Sequence, residues 1–297
     1  MTPDKSNTLP ALPKLDPRQA AMLEAMGISP WWQQEPTAAP ATSPTTLTAP
    51  ATAVAKPAAP VTAQPAPMAP PTARPQHQPA EAPTRHIPIT QIPTDLAQMD
   101  QATLQAAIAA CARCDLGQRR QHAVPGMGDL APDWLIVGEA PGEEEDRQGL
   151  PFVGRAGQLL DRMLAAMHLS REHKVYIANV IKCRPPHNRN PDPVEIEQCT
   201  PWLLRQVELL QPKMILAMGR FAAQTVLAQG GRMDADALRQ MPLGRLRGQV
   251  HEVTLAGRTL PVVVTYHPAY LLRSPAEKGK TWADLCLAMD TMERLSA

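Results

Sequence analysis

Four short apolar runs restrict what this chain can fold into: DWLIV at 133–137, KVYIANVI at 174–181, KMILAM at 213–218 and LPVVVTY at 260–266. Each is too short for an ordinary helix. Each is also nearly continuous in its hydrophobicity, as a strand covered on both faces must be. Between them lie segments of helical period at 156–167, at 193–210 with a proline near its start, and at 220–228. A more polar strand at 249–255 is expected to pair with 260–266, and a helix over 277–295 to follow. Strands alternating with helices in this way predict an α/β fold of three layers, α/β/α, with a mostly parallel central sheet. Ligands bind such sheets at the carboxyl ends of the strands, so the segments just after 137, 181, 218 and 266 are where a site is expected.

The folded part does not use the whole chain of 297 residues. Of the 34 prolines, 20 fall within residues 1–98, and no Phe, Tyr or Trp occurs between Gln33 and Asp133. Residues 36–93 are mostly Ala, Pro, Thr and Gln, with little apolar surface to offset chain entropy. The expectation is a disordered Pro/Ala-rich tail over 1–94 and one domain of about 190 residues over 95–297, opening with a helix at 95–110. Within the tail, 16–32 (DPRQAAMLEAMGISPWW) carries the signals of a short helix: Asp16 as cap, Pro17 behind it and Gly27 as a stop. It reads either as a fragment of weak helix ahead of a linker or as a docking peptide for a partner protein on a long tether.

Charge excludes one class of function. The net charge is +1, and residues 1–98 hold six groups of each sign, so the folded part is itself near neutral. A uniformly basic nucleic-acid binder is excluded; a local basic groove is not. No run approaches the roughly 18 apolar residues that span a membrane, and the N-terminus lacks the apolar core of a signal peptide. The expected compartment is the cytoplasm, where five cysteines read as thiols or metal ligands before disulfides.

The strand ends carry the chemistry. After the first comes Gly138-Glu139-Ala140-Pro141-Gly142 and then the acidic run Glu143 to Asp146. This turn can bring backbone N–H groups close to a ligand, and one or two of the carboxylates are expected to face the cleft. Phe152 lies among glycines in GLPFVGRAG at 149–157; it is either a plug on the core or a face on which a planar ligand stacks. Asn179 sits inside an apolar strand, where its amide needs a partner because burying it unpaired costs about 1–3 kcal/mol. After the last strand, His267 is locked by Pro268, and Leu271, Leu272 and Arg273 offer an apolar wedge beside a positive charge, which suits entry into a base stack.

Cys111 and Cys114 form a C-x-x-C pair; Cys183 follows after 68 residues and Cys199 after 15 more. Four cysteines are the count a tetrahedral sulfur site needs, and the spacing suits zinc and a [4Fe–4S] cluster equally. Cys286, within the last helix, reads as a small hydrophobe.

Together, GEAPGEEED at 138–146, GLPFVGRAG at 149–157, NVIKCRPPHNR at 179–189, HPAYLLR at 267–273 and the four cysteines resemble the uracil-DNA glycosylase superfamily, and within it the type-4, iron–sulfur branch. The resemblance covers roughly 105–295. It implies an α/β/α domain, a [4Fe–4S] cluster on Cys111, Cys114, Cys183 and Cys199, and excision of uracil from DNA by a monomer acting at the nucleoid. It further implies that Phe152 stacks on the flipped base, Asn179 reads its edge, Gly138 and Ala140 line its pocket, and His267 stabilises charge on the departing base. Leu271, Leu272 and Arg273 are then expected to contact DNA.

Another branch of the superfamily carries a catalytic aspartate where this chain has Ala140; type-4 members also lack it, so the difference does not argue against the resemblance. Glu139 and Glu145 are the candidates to activate water, and Glu145 resembles a family position that acts through an asparagine, here Asn188. On this reading the 16–32 segment would dock a replication or repair protein. Two rivals remain: a catalytically silent binder of damaged DNA, and a zinc-stabilised nucleotide-binding module of the same fold.

Overall fold

The computed structural model describes residues 93–231 and 234–296. Residues 1–92, with the 16–32 segment and nearly all of the expected tail, lie outside the described residues. A single 3-10 turn, Leu96–Gln98, precedes α1 (Gln101–Ala110) and α2 (Leu116–Arg119). Then come β1 (Met127–Gly128), β2 (Trp134–Gly138), α3 (Glu143–Gln148), α4 (Arg155–Ala166) and β3 (Val175–Asn179). The second half runs α5 (Pro193–Leu210), β4 (Met214–Met218), α6 (Arg220–Gln229), α7 (Ala235–Gln240), α8 (Leu243–Leu246), β5 (Val250–Leu255), β6 (Arg258–Thr265), α9 (Pro268–Arg273) and α10 (Lys278–Ser296).

The sheet has the order β1-β3-β2-β4-β6-β5. Its four inner strands are parallel, and an antiparallel strand closes each edge. The four apolar runs are those inner strands. Their side chains alternate between two cores. Leu135, Val137, Tyr176, Ala178, Ile215, Ala217, Val262 and Val264 pack with α1, α5 and α6 on one face. Trp134, Ile136, Val175, Ile177, Met214, Leu216 and Val263 pack with α4, α9 and α10 on the other. The period-2 pleat sends successive side chains to opposite faces, so continuous apolar runs yield three layers. Among the described residues no helix is long and apolar enough to cross a membrane.

Three departures from the sequence expectations bear on how the fold and the site are built. The helix expected over 95–110 is broken, because the Asp100 side chain accepts from Thr103 N–H at 2.8 Å and caps a new start at Gln101. Strand β1 was not expected. It is two residues long, and Gly128 at φ +133° lies against the Val175 carbonyl, closer than any Cβ permits. The third departure corrects the proposed wedge. Leu271 is fully buried in the second core, whereas Leu272 and Arg273 face outward. A six-residue helix can show solvent only one side, and α9 packs on α4 through Leu271.

Leu271→Ala is therefore expected to lower the unfolding free energy by about 2–5 kcal/mol. Leu272→Ala should change it by less than about 0.5 kcal/mol. Urea titration of the two variants checks the assignment, which is overturned if their losses are equal.

Candidate active site

The carboxyl ends of β2, β3, β4 and β6 open into one cleft of about 600 Å³. Four chain segments meet in it: Glu139–Gly142 after β2, Asn179 at the end of β3, Gly219 and Arg220 after β4, and Tyr266 and His267 after β6. These are the strand ends singled out from the sequence. Pairing between β2 and β3 continues past the strands, with Val180 N–H donating to Gly138 O at 2.9 Å and Ile181 N–H to Glu139 O at 3.2 Å.

Within the acidic run, Glu143 and Glu144 are exposed and Asp146 is buried, accepting from Gln121 N–H at 3.0 Å. Glu139 and Glu145 line the cleft. Glu145 is committed to the backbone: its Oε2 accepts from Gly142 N–H at 3.0 Å, and its Oε1 from Val153 at 2.9 Å and Gly154 at 3.1 Å. A carboxylate holding three amides braces two loops. Asn188 lines the same cleft, but its Oδ1 accepts from Arg184 Nε at 2.8 Å. Glu139 is different. It is half-buried, which pushes its carboxyl above the usual range, while Arg220 and Arg273 pull the other way.

Phe152 adopts a left-handed conformation, φ +54°, on a loop held from outside. Arg171 donates to Pro151 O at 2.8 Å and to Phe152 O at 2.5 Å. Gly157 permits this loop, since a Cβ there would lie 1.7 Å from Phe152 O. The ring is 4% exposed, joins the second core and also lines the cleft, so a plug on the core still presents an edge of the site. Gly138 does not line the cleft. It makes room instead: a Cβ there would lie 2.4 Å from Asn179 Oδ1 and 2.6 Å from the Phe152 ring. Ala140 does line it.

Asn179 is 1% exposed, and its Oδ1 has no hydrogen-bond partner. A buried amide oxygen left unpaired in a cleft is poised for a ligand's N–H. His267 stands opposite, with its ring 5.4 Å from that of Phe152 at 29°. It caps α9, its Nδ1 accepting from Ala269 N–H at 3.2 Å. Burial, with Arg273 nearby, depresses its pKa to about 4. At neutral pH the ring is uncharged, and because Nδ1 accepts, the proton sits on Nε2. The ring thus offers a neutral N–H donor.

A second constellation lies behind β3. Cys111, Cys114, Cys183 and Cys199 line one small cavity together with Arg113, Arg120 and Lys182. Arg120 donates to Cys183 Sγ at 2.8 Å and Lys182 N–H to Cys199 Sγ at 3.2 Å. Burial pushes the Cys183 thiol up to about 11 and the Cys199 thiol up to about 12. Among the described residues no group of three or more His, Cys, Asp or Glu side chains stands as a ready single-ion site. The structure gives instead a shared cavity, four sulfur donors and cations around them. That donor set fits an anionic sulfur-ligated group, because N–H···S bonds and buried cations stabilise thiolates. Cys286 is half-buried against the second core.

Sequence reasoning pointed to the segment after β4 without naming Arg220, and it missed Arg171 and Lys182. Glycine followed by arginine at a strand end was the available signal for Arg220. Arg171 is 19 residues from Phe152, and no spacing connects them.

At the carboxyl ends of the four parallel inner strands, an aromatic face, an unpaired amide and an imidazole line one cleft. Residues 125–286 match the uracil DNA glycosylase superfamily, and the chain belongs to it. The chain is 41% identical over 189 residues to the type-4 uracil-DNA glycosylase of Pyrobaculum aerophilum, covering 64% of this chain and 93% of that protein. It is 45% identical over 168 residues to the type-4 enzyme of Archaeoglobus fulgidus (57% and 81% covered) and 41% identical over 167 residues to that of Thermotoga maritima (56% and 80% covered).

The state of His267 can be measured directly. Its imidazole C–H resonances should titrate near pH 4 rather than at the ordinary 6.5. The unfolded chain takes this proton at the higher pH, so folding stability falls as pH drops from 6.5 towards 4. His267→Gln should lose that part of the acid sensitivity. A resonance titrating near 6.5 overturns the assignment.

Proposed function

We propose that this protein is a uracil-DNA glycosylase: it flips uracil out of DNA and hydrolyses the N-glycosidic bond, leaving an abasic site for base excision repair. The unpaired Asn179 Oδ1, buried beside Phe152 and facing His267, carries this reading. Uracil presents an N3–H donor next to the O4 acceptor, which an asparagine amide can match. Cytosine presents an acceptor at N3, so Oδ1 would meet a lone pair and the buried oxygen would stay unsatisfied. Extrusion from the stack costs a few kcal/mol, offset in part by stacking on Phe152.

As the C1′–N1 bond breaks, its electron pair passes to the base and positive charge grows on the sugar. The neutral His267 Nε2–H donates to the base oxygen on which negative charge develops, a contact stronger in the transition state than in the ground state. Water bonds to C1′ and gives up a proton; Glu139 is the candidate acceptor, as Glu145 is held by three amides. The DNA phosphates lie near the positive sugar and reduce the demand on any base. Leu272 and Arg273, exposed beside the cleft, are the DNA contacts of α9. The protein acts as a monomer in the cytoplasm, on chromosomal DNA.

The four cysteines would hold a [4Fe–4S] cluster. Bound there, such a group supplies a rigid cross-link with one-electron capacity, joining the α1–α2 segment to α5 and to the loop after β3.

Purified protein given a uracil-containing oligonucleotide should yield strands that break in alkali, whereas a silent binder would yield none. His267→Ala should lower single-turnover excision by more than about tenfold and leave DNA affinity within about twofold; excision near the wild-type rate overturns that role. Cys183→Ser should lose iron and the broad visible absorbance of a cluster. Unchanged iron per chain removes Cys183 from the ligand set, and zinc in its place favours the rival module.

A further inference from the structure

Lys182 links the two constellations. It is 1% exposed and lines the cavity of the four cysteines, three residues beyond the base-facing Asn179. Its peptide is fixed at both ends, with N–H donating to Cys199 Sγ at 3.2 Å and C=O accepting from Val124 N–H at 2.8 Å. Its ammonium donates to the main-chain oxygen of Asn179 at 2.8 Å and to Gln206 Oε1 at 2.6 Å. Gln206 is itself fully buried and donates to Pro125 O at 2.7 Å.

Cys199 and Gln206 are seven residues apart on α5, two turns along one face. One helix face therefore grips Lys182 at its backbone through a cysteine sulfur and at its tip through an amide. What remains of the ammonium's reach ends on Asn179. If packing alone were needed, an apolar residue of the same length would serve at lower cost, because a buried cation among neutral acceptors is expensive. The charge has a purpose where sulfur ligands carry net negative charge on the other side of the same residue.

We propose that Lys182 is a positioning residue that couples the four-cysteine site to the backbone carrying the base-reading Asn179, so that cluster occupancy strengthens recognition of the uracil ring more than it strengthens binding to DNA. The proposal rests on the uracil reading above. Coupling of this kind is reciprocal: bound uracil must protect the cluster by the factor by which the cluster improves uracil binding.

The test compares full-length iron-loaded protein with its Lys182→Met variant. Three quantities are measured: iron per chain, affinity for free uracil, and affinity for a duplex with an abasic-site analogue. In Lys182→Met, uracil affinity should fall several-fold, because Asn179 loses the bond that fixes its backbone, while abasic-DNA affinity stays within about twofold. Free uracil should slow iron loss to a chelator in the wild type and not in the variant, a difference that a purely structural lysine would not produce. A folded, iron-loaded variant that binds uracil as the wild type does overturns the proposal. So does one whose uracil and DNA affinities fall together. If Lys182→Met does not fold or hold iron, Gln206→Met decides: it leaves the ammonium one anchor fewer and should weaken uracil binding several-fold, and unchanged binding overturns the coupling. Should the wild type neither bind nor excise uracil, the functional reading fails, a result distinct from a variant that matches an active wild type.

Discussion

The last rung of the β2–β3 pair, Gly138 opposite Asn179, is the constraint on which the site depends. Parallel pairing sets both residues at the same carboxyl edge of the sheet. The missing side chain at Gly138 leaves the space that the Asn179 amide and the Phe152 ring occupy. The rest of the pocket is built to keep that space shaped. Glu145 gathers the turn after β2 and the loop after Phe152 onto one carboxylate. Arg171 holds the same loop from its outer side. Pairing that continues to Ile181 keeps the floor in register.

The electrostatics of the cleft follow from how these groups are buried. The imidazole sits against an aromatic ring and near an arginine, so it stays neutral. A neutral donor loses less hydration than a charged one on meeting a base and still stabilises an anion that forms later. Glu139 feels burial and two guanidinium groups in opposition. Arg220 and Arg273 at this rim give local positive charge to a protein whose net charge is only +1, the kind of patch that attracts a polyanion.

Much of the fold was legible because it is written in short-range pattern. A parallel strand must be apolar on both faces, so DWLIV, KVYIANVI, KMILAM and LPVVVTY announced the inner strands and their carboxyl ends announced the cleft. The helix break at Asp100 was hidden by an apolar rhythm that continues across it, and a single capping bond outweighed that rhythm. Leu271 and Leu272 look alike in sequence. The rotation of α9, fixed by the His267 cap and by packing on α4, turned one into the core and the other to solvent.

The sequence by itself determined the strand order of the chemistry: which motifs end strands, which residue types stand there, and that four cysteines of the folded domain come as a set. Those are consequences of local periodicity and of residue chemistry, which travel with the chain. Only the tertiary structure decided that Glu145 braces loops while Glu139 stays open to the cleft, that His267 carries its proton on Nε2, and that Lys182 spans from a cysteine sulfur to the carbonyl of Asn179. Proton location, burial and hydrogen-bond partners depend on neighbours brought together from distant parts of the chain, and no spacing rule contains them.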